Sequence, residues 1–141
     1  MDHLVYVDSK SKSIDKLLTG KKTLIVRGAM SRKIPYNRVE IGDHLYFTTK
    51  KDNGLLRASA TVIDVQYFGN LDSEESYAII EQHQPRLHLN TAQLKRSYGK
   101  KYMTLIKLEN IESIDNKRLD DSLISDIDSW SLVNDIDSVL L

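Results

Sequence analysis

No cysteine occurs among the 141 residues. Disulfide staples and cysteine-ligated metal sites are excluded, and a cysteine-free chain fits a cytoplasmic address. No stretch approaches the roughly 20 apolar residues of a membrane-spanning helix, so no membrane partner is expected. The opening MDHLVYVDSKSKS lacks a basic start followed by an apolar run and does not read as a secretory signal. Net charge is absent too, since 20 Lys and Arg balance 20 Asp and Glu.

What is present is ordinary for a globular protein, with 40% hydrophobic and 28% charged residues. The length suits one domain with one core. The charge is unevenly spread. Residues 1–110 carry 18 basic and 12 acidic side chains, and residues 111–141 carry 2 and 8. A mildly basic body is therefore followed by an acidic tail. Two windows of the body hold no acid. Residues 16–38 contain Lys16, Lys21, Lys22, Arg27, Arg32, Lys33 and Arg38, and residues 82–108 contain Arg86, Lys95, Arg96, Lys100, Lys101 and Lys107. Folded onto one face, these windows form a surface for phosphate. Acids placed across neighbouring strands would instead leave them an ordinary solvated surface.

Periodicity gives the order β, α, β, β, β, α, α, β and a tail. His3 to Val7 reads as a first strand. Ile14, Leu17 and Leu18 form the apolar face of a short helix ended by Gly20. Lys22 to Gly28 and His44 to Thr49 are β-rich, with Pro35 in an irregular segment between them and a turn at Asp52-Asn53-Gly54. Leu55 to Phe68 is a long β run with Leu56, Ala58, Ala60, Val62 and Asp64 on one side. Asp72 or Ser73 caps a helix with Glu75 in its first turn, Tyr77, Ile79 and Ile80 as its apolar positions, and Pro85 beyond its end. A second helix starts at Asn90 or Thr91 and stops at Gly99. Tyr102 to Ile111 is the last strand, and Trp130 is expected to dock the tail. Without a long βαβ series, a doubly wound sheet is disfavoured. The expected fold is α+β, a small mixed five-stranded barrel flanked by short helices. Residues 1–114 are read as the barrel and residues 115–141 as the docked acidic tail.

Several motifs dissolve on inspection. GKKT at 20–23 has Asp15 where a phosphate loop needs glycine, and it follows a helix rather than a strand. The two DIDS segments, with Asp126, Asp128 and Asp135, lack the central Gly and terminal Glu of a calcium loop. His3, His44, His83 and His88 have no partner at ligand spacing. No metal and no cofactor is expected. Lys22, Arg27 and Glu81 form a more informative set. A lysine desolvated beside another cation loses basicity and becomes a nucleophile or base, and a carboxylate nearby relays the proton; a plain Lys22–Glu81 ion pair is the simpler reading. In the strand at 22–28, Thr23, Ile25 and Arg27 point one way and Lys22, Leu24 and Val26 the other, with one face expected to be core. Arg27 then sits at a barrel mouth or in a cleft, where its planar fork suits phosphate or a base edge. Tyr36, Tyr46, Tyr67 and Phe47 offer stacking surfaces, although core packing explains most of them.

The segment Leu17 to Arg27, LLTGKKTLIVR, followed by Gly42-Asp43 and a strand, resembles the ASCH family of the PUA-like superfamily over about residues 10–110. The resemblance implies a small barrel with a cleft lined by Lys22 and Arg27. It also implies an RNA or nucleotide-like ligand, because superfamily members mostly bind RNA or modified bases. One bacterial branch is an amidohydrolase on acylated cytidine that uses a Lys, a Thr and a Glu. Here Ile25 stands at the threonine position, with Thr23 as the nearby hydroxyl and Glu81 as the nearest candidate glutamate. The segments at 29–37 and 72–98 are longer than in that branch, and both departures favour binding over hydrolysis. The expected ligand-binding set is Lys21, Lys22, Thr23, Arg27, Arg32, Lys33, Arg38, Lys95 and Arg96. The expected function is an RNA- or nucleotide-binding module, with a small amidohydrolase acting through Lys22 and Glu81 as the alternative. A protein-interaction module, with the acidic tail as bait or as a mask over the cleft, is a third reading.

Overall fold

Among the described residues, six strands form one mixed sheet in the order β2-β5-β4-β3-β1-β6. They are β1 (Asp2–Tyr6), β2 (Leu24–Ala29), β3 (His44–Thr48), β4 (Ala58–Phe68), β5 (Tyr102–Ser113) and β6 (Trp130–Val133). Three α-helices among the described residues accompany them: α1 (Ser13–Leu18), α2 (Ser73–Leu87) and α3 (Thr91–Ser97). The computed structural model describes residues 1–123 and 129–141; Asp126 and Asp128 of the first DIDS segment lie outside them. The β1–β3 pair is parallel, and the other four pairs are antiparallel. The sheet curls into a half-barrel. Its interior is packed by Val5, Ile25, Leu45, Phe47, Ala58, Ala60, Val62, Ile106 and Trp130, with Ile14 and Leu17 of α1 closing one side.

The short elements follow from local chemistry. In α1, Ile14 and Leu17 are buried, while Leu18 is largely exposed. Gly20 adopts a φ of +79° just past its end, a left-handed conformation that favours glycine. Asp72 caps α2 in a reciprocal box with Glu75, and Asn90 caps α3 in the same way with Gln93. Helix α2 continues through Pro85 to Leu87, so the proline does not lie beyond its end. The proline removes one N–H in the last turn, and burial of Leu87 holds that turn in place. Ile80 is buried, whereas Tyr77 is half-exposed and packs on Tyr98 at 4.8 Å between ring centroids.

Three features depart from simple alternation. In β4, Ala58, Ala60 and Val62 do face inward, while Leu56, ahead of the strand, packs with Leu4 and Leu119 instead; beyond Val62 the register shifts before Asp64. The shift reverses the parity, so Asp64 is exposed and Val65 packs on the core. In β2, both faces are covered. Ile25 points into the half-barrel, while Leu24 and Val26 pack with Ile80 and Leu87 of α2. Finally, the tail contributes a strand of its own, β6, which pairs with β1. Trp130 begins it and is 5% exposed. Its indole Nε1 donates to His3 Nδ1 at 3.0 Å, and His3 Nε2 donates to Asp43 Oδ2 at 2.8 Å. No helix among the described residues is long and apolar enough to cross a membrane.

Candidate functional site

A cleft of about 720 Å³ opens between α1, α3, the start of β2 and the end of β1. Its lining includes Lys22, Arg27, Lys50, Lys51, Arg96 and Lys100, against one acid among the described residues, Asp8. The cations come from separate parts of the chain. Lys22 and Arg27 flank and occupy β2. Lys50 and Lys51 sit on a 3-10 turn after β3, held by reciprocal hydrogen bonds between Thr49 and Asp52. Arg96 and Lys100 follow one another at the end of α3.

Lys22 is held by the end of α2. Its Nζ donates to Leu87 O, and the neighbouring Thr23 N–H donates to Arg86 O at 3.0 Å. Lys16 Nζ donates to His88 O at 3.0 Å on the same helix end. Cationic side chains thus satisfy carbonyls that a helix C-terminus leaves open. Lys22 is 4% exposed. Burial, followed by Arg27 and Lys16, pushes its amine down to about 7.

Arg27 lies on the Ile25 face of β2, at the mouth of the half-barrel. Its Nη2 donates to Tyr6 O of β1 at 2.9 Å, and its guanidinium stands 5.7 Å from the Trp130 ring centroid. One side chain therefore connects both ends of the sheet. Burial, followed by Arg96, lowers it to about 10, so it remains charged at neutral pH. Among the described residues, its buried Nε has no hydrogen-bond partner. Arg96 Nη2 lies 3.7 Å from Asp8 Oδ2. Beside Arg27 is a smaller cavity of about 80 Å³, lined by Lys33, Tyr36, Tyr102 and Thr104 among others.

The two acid-free windows meet at this cleft through Lys22 and Arg27 from one and Arg96 and Lys100 from the other. Other expected residues lie elsewhere. Lys21, Arg38 and Lys95 are exposed and do not line the cleft; neither does Thr23. Arg32 stands 5.8 Å over the Tyr102 ring, and Lys33 lines the smaller cavity. Glu81 is exposed on α2, accepts the Tyr98 hydroxyl, and is absent from the cleft lining. The Lys22–Glu81 ion pair is not formed. Phe47 is core, and Tyr67 is tied to Val39 through its hydroxyl. Lys50 and Lys51 were not expected at the cleft. Their only sequence signal is a lysine pair just before the Asp52-Asn53-Gly54 turn. Among the described residues, no group of three or more His, Asp or Glu side chains is placed to hold a metal.

No protein-family model matches the sequence, and no curated protein matches it. Solved structures do match. An ASCH protein from Zymomonas mobilis superposes with a TM-score of 0.69 at 14% identity, covering 94% of this chain and 87% of that one. A Tyr-to-Phe mutant of the Zymomonas protein gives 0.71 at 13% identity over 97% and 93% of the two chains. A Ser-to-Ala mutant gives 0.69 at 12% over 97% and 91%. At such identities the likeness speaks for the fold.

Proposed function

We propose, taking the ASCH fold as the premise, that this chain is an RNA- or nucleotide-binding module whose cleft receives phosphate groups. The observation that carries this reading is the cleft lining itself, with six cationic side chains and a single acid among the described residues. Phosphate binding by such a set releases condensed counterions, so affinity falls steeply with salt. Arg27 offers a planar donor fork at the cleft wall, and arginine forks suit phosphate or a base edge. The test is titration of a short single-stranded RNA at two salt concentrations. Weak binding that drops sharply at the higher salt is expected. A binding constant insensitive to salt removes the reading.

One observation favours a second reading, a small amidohydrolase on an acylated nucleoside such as acetylcytidine. The Lys22 amine, lowered to about 7, suits a base or nucleophile at neutral pH. Against it, Ile25 supplies no hydroxyl and Glu81 is not in the cleft lining. Loss of one member of a coupled set costs orders of magnitude in rate. No appreciable turnover of acetylcytidine is expected by liquid chromatography. Turnover that disappears in Lys22→Ala would promote the hydrolase and displace the binding module.

A further inference from the structure

We propose that the Lys22 amine is a covalent capture site for a phosphorylated aldehyde, with which it condenses to a Schiff base. The inference rests on the reading of the cleft as a phosphate receptor and adds a chemical step to it. Three structural observations support it. Lys22 lines an open cleft of about 720 Å³, although it is almost fully buried. Among the described residues its amine has a single hydrogen-bond acceptor, Leu87 O, and no ion pair. A carbonyl acceptor is satisfied equally by an ammonium or by an amine, so the contact survives loss of the proton. Arg27 and Arg96 line the same cleft and provide the guanidinium groups that a phosphate ester recruits.

Among the described residues, the charged groups that act on the amine are of one sign. Arg27 on β2 and Lys16 on α1 face it. The acid of the cleft, Asp8, lies beside Arg96. Both neighbouring cations disfavour the ammonium, as does burial, and desolvated lysines of this kind serve as Schiff-base nucleophiles. The step balances without a redox partner. Nζ adds to the carbonyl carbon, forming a C–N bond as the C=O pair moves to oxygen. A proton passes from nitrogen to that oxygen, and loss of water leaves the imine. The ligand class is a phosphate ester bearing a free aldehyde. A small sugar phosphate and the ring-opened sugar of an abasic nucleotide share this chemistry.

The experiment is trapping with cyanoborohydride, which reduces the imine to a stable secondary amine, followed by peptide mapping of the intact protein. The probes are glyceraldehyde 3-phosphate, an oligonucleotide with one abasic site, and unphosphorylated glyceraldehyde. At neutral pH we expect adduct on Lys22 in at least about tenfold excess over any other lysine, since each pKa unit is tenfold in deprotonated fraction. Labelling should rise with pH around 7, and Lys22→Arg should abolish it. Adduct from one phosphorylated probe and not the other identifies the source of the ligand. Labelling without preference for Lys22 by either probe overturns the proposal, while salt-dependent RNA binding would then still stand. Equal labelling of Lys22 by unphosphorylated glyceraldehyde overturns the assigned ligand class. Mapping on the unmodified sequence keeps the test decisive should Lys22→Arg fold poorly.

Discussion

His3 carries more of the architecture than its size implies. It is fully buried, and its two ring nitrogens have fixed and opposite roles. Because Trp130 donates to Nδ1, the ring proton resides on Nε2 and is donated to Asp43. Protonating Nδ1 would set two donors against each other. Burial lowers the imidazole below its ordinary 6.5, outweighing the opposing pull of Asp43. Burial alone would raise Asp43, yet hydrogen bonds from His3 and from the Glu40 N–H hold it below 3.8. The signs separate the two groups. The His3 contribution to stability is complete above 6.5 and is lost as pH falls from there through the lowered value. The Asp43 contribution persists until pH falls through a still more acidic range. The melting temperature should therefore drop as pH falls below 6.5, and His3→Gln should flatten that portion of the profile. An unchanged slope in His3→Gln would exclude His3 as its source. At this scale much was readable from sequence. Lys22 and Arg27 stood out as cations bracketing an apolar strand. The destination of Glu81 did not, because its contact with Tyr98 depends on how α2 and α3 pack.

Among the elements, β6 ties the tail to the half-barrel. Its four residues pair with β1, and Trp130 fills the half-barrel beside Arg27. Replacing Trp130 with Ala removes a buried aromatic, a buried hydrogen bond and the ring beneath Arg27. The expected cost is about 3–5 kcal/mol, read as a lower midpoint in urea denaturation. A change below about 1 kcal/mol, the scale of ordinary surface substitutions, would mean that β6 is only loosely attached. The capped helices and the alternating inward run of β4 were legible because capping boxes and period-2 burial are local patterns. The parity change beyond Val62 was not, since a bulge depends on the partner strand. Strand β6 was missed for a similar reason: in an acidic, serine-rich tail, pairing to β1 is visible only as the docking of one tryptophan.

For the whole molecule, the central feature is convergence of charge. A chain with no net charge gathers Lys22, Arg27, Lys50, Lys51, Arg96 and Lys100 around one cleft. The sequence windows account for four of these, but Lys50 and Lys51 arrive only because the sheet curls and brings the β3–β4 turn to the cleft edge. If both lysines meet phosphates of a single strand, Lys50→Ala with Lys51→Ala should reduce the slope of log affinity against log salt by about 1.4 in magnitude. The same pair mutated should leave the melting temperature nearly unchanged, as both residues are exposed. An unaltered salt slope would place the phosphates away from this turn, at Arg27 and Arg96.

The order of strands also has a consequence for the nascent chain. Strand β1 precedes the other described strands in the chain, yet it lies between β3 and β6, and its outer neighbour follows all of them. Leu4 and Val5 must wait for Ser131 and Trp130 to leave the ribosome. A polypeptide halted before Trp130 has an uncovered strand edge, the kind of surface that invites pairing with another chain. The pairing of β6 on β1 therefore does two things at once, filling the half-barrel with Trp130 and closing an edge that would otherwise pair between molecules.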